Sequence, residues 1–355
     1  MKTILQELPG ALLPWYEENK RDLPWRQDRE PYHVWLSEIM LQQTRVEAVK
    51  GYYTRFLEEL PTVEALANCD DDRLNKLWEG LGYYNRVRNL KKAARLVVDH
   101  YGGAFPQDHG QVLALPGIGE YTAGAICSIC FDLPTPAVDG NVLRVLSRVL
   151  NDDTPIDLPA QKKRLQALLS QIYPESAGAF TQALMELGAT VCGPNRTPNC
   201  CACPCRGFCR GYAAATAPKL PVKTAKKARR AEDKTVLILR CQERYGICKR
   251  PEKGLLAGLW QFPDVPGTLE LPQSMDAVRA LGMEPVDILR YTDRTHIFTH
   301  VQWNMRGFYM EVKQPSHQLY WVTALQLEGE YALPSAFAPF LPQVQGALEQ
   351  TGEGG

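Results

Sequence analysis

The sequence predicts two domains of different class, an all-α domain followed by a smaller α+β domain. Three observations carry this reading. The chain has 355 residues, more than one compact core ordinarily organises. Apolar residues recur three and four apart as far as about residue 210, as in Trp35, Ile39, Val46, Val49, Tyr53 and Leu57. Beyond residue 233 the period is that of strands, with Thr235 to Leu239, Tyr245 to Cys248, Val301 to Val312 and Tyr320 to Val322 as β-rich runs.

The helical domain is assigned to residues 1–212, where Glu59-Leu60-Pro61-Thr62, Gly102-Gly103 and Asn151 to Pro155 punctuate the helices. Residues 213–232 read as an exposed linker, because small residues, Pro218 and Pro221 lead into Lys226, Lys227, Arg229 and Arg230. Such a basic tether is either merely solvated or touches phosphate. Residues 233–355 form the second domain, with helical patches at Ser274 to Met283 and Pro334 to Gln350.

Formal net charge is zero, so composition gives no argument for nucleic acid, and a DNA-binding claim has to come from local features. No stretch approaches the roughly 20 apolar residues of a membrane helix, and the N-terminus meets proline and acidic residues too early for a signal peptide. A cytoplasmic protein without a membrane partner is expected.

Six of the eleven cysteines, Cys192, Cys200, Cys201, Cys203, Cys205 and Cys209, fall within residues 192–209. Disulfides are disfavoured in a reducing compartment, so the cluster reads as a metal site. Cys192-x7-Cys200-x2-Cys203-x5-Cys209 offers one thiolate to each iron of a cubane, and four thiolates equally suit a zinc ion. Cys201 and Cys205 are then non-ligands, with Cys201 the alternative to Cys200, whose choice rests on the x2 and x5 intervals that follow, and Arg196, Arg206 and Arg210 make the loop basic. Cys69, Cys127, Cys130, Cys241 and Cys248 stand in apolar or strand-like surroundings and read as structural thiols.

Leu115-Pro116-Gly117-Ile118-Gly119-Glu120-Tyr121 has the form of a tight turn feeding a helix. Gly117 and Gly119 permit positive φ and uncover backbone N–H groups, which at a helix start can seat a phosphate. A plain helix–helix turn is the simpler alternative. Asp139 sits where an N-cap belongs, before the amphipathic run Leu143 to Leu150. It either caps only, or also stabilises a cation forming on a sugar, the helix dipole favouring its charged form. Glu38 lies among Leu36, Ile39 and Met40, which disfavours ionisation unless the side chain faces the surface. One protonated and one ionised carboxyl suit cleavage of a glycosidic bond.

Together these elements resemble the helix–hairpin–helix DNA glycosylases, and among them the MutY-type adenine glycosylases. The resemblance runs through Leu23-Pro24-Trp25-Arg26, Ser37 to Thr44, Gly80 to Arg86, the glycine hairpin and the cysteine loop, then Gly254 to Trp260 and Tyr331 to Ser335. It implies a helical glycosylase domain with a [4Fe-4S] cluster on Cys192, Cys200, Cys203 and Cys209, plus a Nudix-like α+β domain. It implies that Glu38 protonates adenine and activates water, that Asp139 stabilises the sugar cation, and that Tyr121 and Asn141 assist. Arg26 would help bind the flipped adenine, Gln43 and Tyr83 would occupy space near the opposite lesion, Thr44 and Arg86 would contact DNA, and Gly117 and Gly119 would grip phosphate. Phe298-Thr299-His300 is similar to the family's lesion-reading Phe-Ser-His.

The implied partner is double-stranded DNA carrying A opposite 8-oxoguanine or guanine, bound by a monomer associated with the nucleoid. Two departures stand out, the x7 interval after Cys192 where the family has x6, and threonine in place of serine. The related endonuclease III branch has a Schiff-base lysine where Tyr121 stands, and a phenol forms no imine. A strand-cleaving lyase and a non-enzymatic DNA-binding iron–sulfur protein are the competing expectations.

Overall fold

The structure, a computed structural model, describes residues 4–194, 197–225 and 228–341. It divides into two compact units, one formed by described residues of 1–68 and 88–225, the other by those of 69–87 and 226–355. The helices up to residue 213 are α1 (Leu8–Asn19), α2 (Pro31–Met40), α3 (Val46–Glu59), α4 (Val63–Asn68), α5 (Asp71–Leu77), α6 (Asn85–Tyr101), α7 (His109–Leu113), α8 (Glu120–Phe131), α9 (Gly140–Leu150), α10 (Pro159–Ser170), α11 (Ala177–Thr190) and α12 (Arg210–Ala213). No helix among the described residues is long and apolar enough to cross a membrane.

Helix α9 is the pillar of the first unit. Asp139 caps its start through Val142 N, and Asn151, in the left-handed region at φ 57°, ends it. Val142, Val145, Leu146 and Val149 pack with Leu12 of α1, Leu165 of α10 and Phe180, Leu184 and Leu187 of α11. Helices α2 and α8 meet through Val34, Ala125 and Ile129. Glu38 follows Val34 by four residues and Tyr121 precedes Ala125 by four, so the same helical faces bring these two together.

The periodic run from Trp35 to Leu57 is two helices. Between them Gln43 holds φ 59°, a conformation unusual outside glycine. The stretch expected as an exposed linker is held down for most of its length. Arg148 Nε donates to Leu220 O (2.9 Å), Ile156 N to Val222 O (3.0 Å), and Thr224 N to Asp157 Oδ1 (3.0 Å). Most of its described residues are nonetheless exposed, as expected, with Ala217 and Leu220 buried, and the first unit runs to Ala225. Lys226 and Lys227 lie outside the described residues.

The second unit is a mixed sheet of β1 (Arg230–Cys241), β2 (Arg244–Lys249), β3 (Trp260–Gln261), β4 (Asp264–Pro266), β5 (Pro285–Ile297), β6 (Val301–Val312) and β7 (Tyr320–Thr323), with helices α13 (Leu271–Ala280) and α14 (Ala324–Gly329). Strand order is β3-β2-β1-β6-β5, with β1 and β6 parallel. Residues 236–239 are wholly buried because alternate side chains enter different cores. Val236 and Ile238 meet Trp303 and Phe340 on one face, whereas Leu237 and Leu239 meet Val278 and Phe308 on the other. The sheet begins at Arg230, before the expected boundary. In the helical patch expected from Pro334 the described part shows a short 3-10 turn, Ala338–Phe340, followed by Leu341 in α-helix, and residues 342–350 of it lie outside the described residues.

The segment 69–87 packs as part of this second unit, although its helical period assigns it to the first. Asp72 Oδ1 accepts from Trp260 Nε1 (3.1 Å) and Lys249 Nζ (3.2 Å), and Glu79 Oε1 accepts from Leu333 N (2.9 Å). Nothing in a helical period marks which core a helix joins, so the sequence carried no sign of it.

Candidate active site

Glu38 is 6% exposed, on a helix whose residues 34–40 are all buried. Burial, reinforced by the nearby Asp139 charge, raises its carboxyl from the usual 4.5 to about 7, against the lowering effects of the Tyr121 hydrogen bond and of Arg26. The Tyr121 hydroxyl donates directly to Glu38 Oε2. Its own ionisation is pushed well up by burial and by both carboxyls, so it stays a neutral donor.

Asp139 accepts from Val142 N on Oδ1 (2.8 Å) and from Asn141 Nδ2 on Oδ2 (2.6 Å). Dipole reasoning favours its ionised form. Instead, burial raises its carboxyl above the ordinary value, outweighing those bonds and Arg144. Desolvation wins because the cap is enclosed, so a nearby positive charge would strongly favour the carboxylate.

Arg144 fixes Asn141. Its Nη2 donates to Asn141 Oδ1 (2.8 Å) and to Gly188 O (2.7 Å), and its Nε to Cys192 O (2.7 Å). Close approach of α11 depends on Gly188, where a Cβ would lie 2.6 Å from the Asn141 Cβ. The cysteine loop and Asp139 are thus joined through Arg144 and Asn141.

Arg26 lies over the Tyr16 ring and donates to Glu186 Oε2 (2.7 Å), which also takes Arg21 Nη2 (3.0 Å). Burial pushes the Glu186 carboxyl up, yet the two guanidiniums outweigh it and hold it below the usual range. Sequence reasoning missed Glu186, Arg21 and Arg144. Glu186 carried the signal used for Glu38, a carboxyl between Met185 and Leu187. A cavity of about 420 Å³ opens beside this network, lined among others by Tyr16, Arg21, Arg26 and Gln182.

In the hairpin, Gly117 has φ 78° and an added Cβ would strike Asn89 at 2.6 Å. Gly119 does not take positive φ. It caps α8 in an extended conformation at φ −104°, and nothing in the protein would meet a Cβ there within 4 Å. Internal packing therefore gives no reason for glycine at 119.

In the second unit, Phe298-Thr299-His300 is the turn between β5 and β6. Phe298 packs on Trp303 with ring centres 4.8 Å apart, while Thr299 and His300 are exposed. Thr299 Oγ1 lies 2.8 Å from the hydroxyl of Tyr83, whose φ is 49°. Arg86 donates to Leu81 O (2.9 Å) and Gly82 O (3.2 Å), so its guanidinium holds the turn that presents Tyr83. Thr44 Oγ1 bonds Gln42 O (3.4 Å) in the turn after α2.

Cys192, Cys200, Cys203, Cys205 and Cys209 line one pocket with Val145, Leu187 and Arg148, whereas Cys201 is exposed and outside it. Burial pushes the Cys192 thiol up, and Arg148 Nη1, donating to Cys192 Sγ (3.1 Å), opposes that without overcoming it. Among the described residues no three His, Cys, Asp or Glu side chains converge as a site for one metal ion. Arg196 lies outside the described residues.

Residues 36–175 match the HhH-GPD superfamily of base excision DNA repair proteins, and residues 235–343 match the NUDIX domain. The chain is 36% identical to the adenine DNA glycosylase of Mus musculus over 85% of this chain and 70% of that protein. It is 36% identical to that of Homo sapiens over 86% and 67%, and 31% identical to that of Schizosaccharomyces pombe over 90% and 85%. A thermostable thymine-DNA glycosylase structure is similar with TM-score 0.55 and 30% identity over 59% of this chain and 97% of that one. A trapped endonuclease III–DNA covalent intermediate shares the fold, with TM-score 0.51 and 24% identity over 61% and 99%. The chain belongs to the MutY-type adenine DNA glycosylases of the helix–hairpin–helix superfamily, enzymes of base excision repair that act on DNA and hydrolyse the N-glycosyl bond of adenine.

Proposed function

We propose that this enzyme removes adenine mispaired with 8-oxoguanine or guanine and leaves the strand intact. The observation that carries the reading is Glu38, a buried carboxyl raised to about 7 and held by a phenol. It donates its proton to adenine N7 as the glycosidic electrons withdraw to the base, then takes a proton from the water that adds to C1′. Asp139, held between Val142 N and Asn141, stabilises the positive sugar. Arg26, backed by Glu186, orients the extruded adenine. The open space before Gly119, at the start of α8, receives a phosphate. In the second unit Tyr83, Thr299 and His300 meet the opposite base, while Gln43 and Thr44 of the first unit contact DNA, and the enzyme works as a monomer in the cytoplasm or on the nucleoid. Product analysis tests the reading. The strand should stay whole until alkali is added, and borohydride should trap little protein; efficient trapping would favour a lyase.

Cys192, Cys200, Cys203 and Cys209 would hold a [4Fe-4S] cluster. The donor set fits, with thiols around an apolar-walled pocket and a guanidinium at Cys192. When bound, the cluster supplies a clasp for the basic loop.

Asn141→Ala removes a hydrogen bond to Asp139 and makes ionisation harder still. Single-turnover adenine release should fall about tenfold, roughly 1.4 kcal/mol, with the acidic limb of its pH profile moved upward. An unmoved limb would separate Asn141 from Asp139. Thr299→Val removes the hydroxyl beside Tyr83. The preference for 8-oxoguanine over guanine, measured as a ratio of dissociation constants at one salt concentration, should shrink by about 1–3 kcal/mol. An unchanged ratio would place lesion choice elsewhere.

A further inference from the structure

Five thiols line the cysteine pocket, one more than a four-iron cluster takes. Four belong to the spacing that suits the cluster. The fifth, Cys205, is fully buried and sits two residues after Cys203, within the turn that the hydrogen bond Arg206 N to Cys203 O (3.1 Å) closes. Cys203 and Cys205 both line this pocket. Structural burial alone asks only for a small apolar side chain at 205, which alanine or valine would supply. Cys201, equally near Cys203 in sequence, is exposed and outside the pocket.

We propose that Cys205 is a reserve ligand, able to take the place of Cys203 on the cluster. The inference rests on the assignment of the cluster to this loop. In the exchange the Cys203 sulfur would leave iron with the bonding pair as a thiolate and take up a proton, while the Cys205 thiol would give up its proton and its sulfur would bind in that place. No change in oxidation state is needed. The movement is local, because the two residues share one turn and line the same pocket. A loop with such a spare thiol keeps its clasp when one ligand is oxidised or removed.

The test measures iron content and the thiolate-to-iron visible absorption of full-length protein purified without oxygen. Alanine is used because serine could itself bind iron. Wild type and Cys205→Ala should each hold about four irons. Cys203→Ala should retain most of that iron, with a shifted absorption because one ligand has changed. Cys203→Ala combined with Cys201→Ala should behave like Cys203→Ala alone. Cys203→Ala combined with Cys205→Ala should lose most of its iron, as should Cys192→Ala. If Cys203→Ala loses iron as completely as Cys192→Ala, or if the variant lacking both Cys203 and Cys205 keeps it, the reserve role is overturned. Loss from Cys205→Ala alone would also overturn it, placing Cys205 among the resident ligands. Wild type without iron would instead overturn the cluster assignment itself.

Discussion

Glu38→Gln is expected to slow adenine release by about 10²- to 10⁴-fold, the contribution usual for a positioned general acid, while mismatched duplex is still bound. Glutamine keeps the size of the side chain and an oxygen to accept from Tyr121, and it loses only the transferable proton. The same substitution carries a second, opposite expectation for stability. With a folded value of about 7 and an ordinary value of 4.5, both folded and unfolded chains hold the Glu38 proton below about 4.5. Between these values the unfolded chain ionises and the buried group does not, so stability falls as pH rises. Above about 7 the loss levels off at about 3 kcal/mol. Glu38→Gln removes that loss and should therefore unfold at higher denaturant than wild type at pH 8, and much less so at pH 4.5. Near-wild-type turnover would remove Glu38 from the chemistry, and equal stability at both pH values would remove its raised carboxyl.

Asp139→Asn is expected to cost about 10²- to 10³-fold in the rate of adenine release, or roughly 2.7–4 kcal/mol of transition-state stabilisation. The asparagine oxygen can still accept from Val142 N, so the cap of α9 survives. The charge facing the sugar does not. This separates the two roles open to the residue. If Asp139 only capped, the variant would release adenine at the wild-type rate. Melting temperature should fall little, because burial already disfavours the charge in the free protein.

Local chemistry was legible in the sequence, and partnership between distant segments was not. Asp139 before Gly140-Asn141-Val142 was readable as an N-cap, and strand β6 was delimited at Val301 and Val312 by its residues alone. Glu38 was readable as a buried carboxyl from its apolar neighbours. The direction of the Asp139 shift was not, because a cap motif shows hydrogen bonds but not how fully the surrounding helices exclude water. Strand β5 was missed since it is an edge whose residues are mostly exposed, leaving no alternation to detect. Segment 69–87 has the period of the helical unit, and it is contacts such as those of Asp72 and Glu79 with Trp260 and Leu333 that reveal its packing with the sheet. A truncation at residue 233 therefore strips partners from 69–87, so Thr299→Val is the cleaner test of lesion choice.

The central claim is that a protonated Glu38 and an ionised Asp139 act together on the bond to adenine. The most direct measurement is the single-turnover rate of adenine release from a duplex with adenine opposite 8-oxoguanine, followed from pH 5 to 9 at constant salt. The account predicts a bell, whose basic limb falls through about pH 7 as Glu38 loses its proton and whose acidic limb appears as Asp139 gains one. In Glu38→Gln the basic limb should vanish along with most of the rate. A wild-type rate that stays flat or rises between pH 7 and 9 would contradict the account.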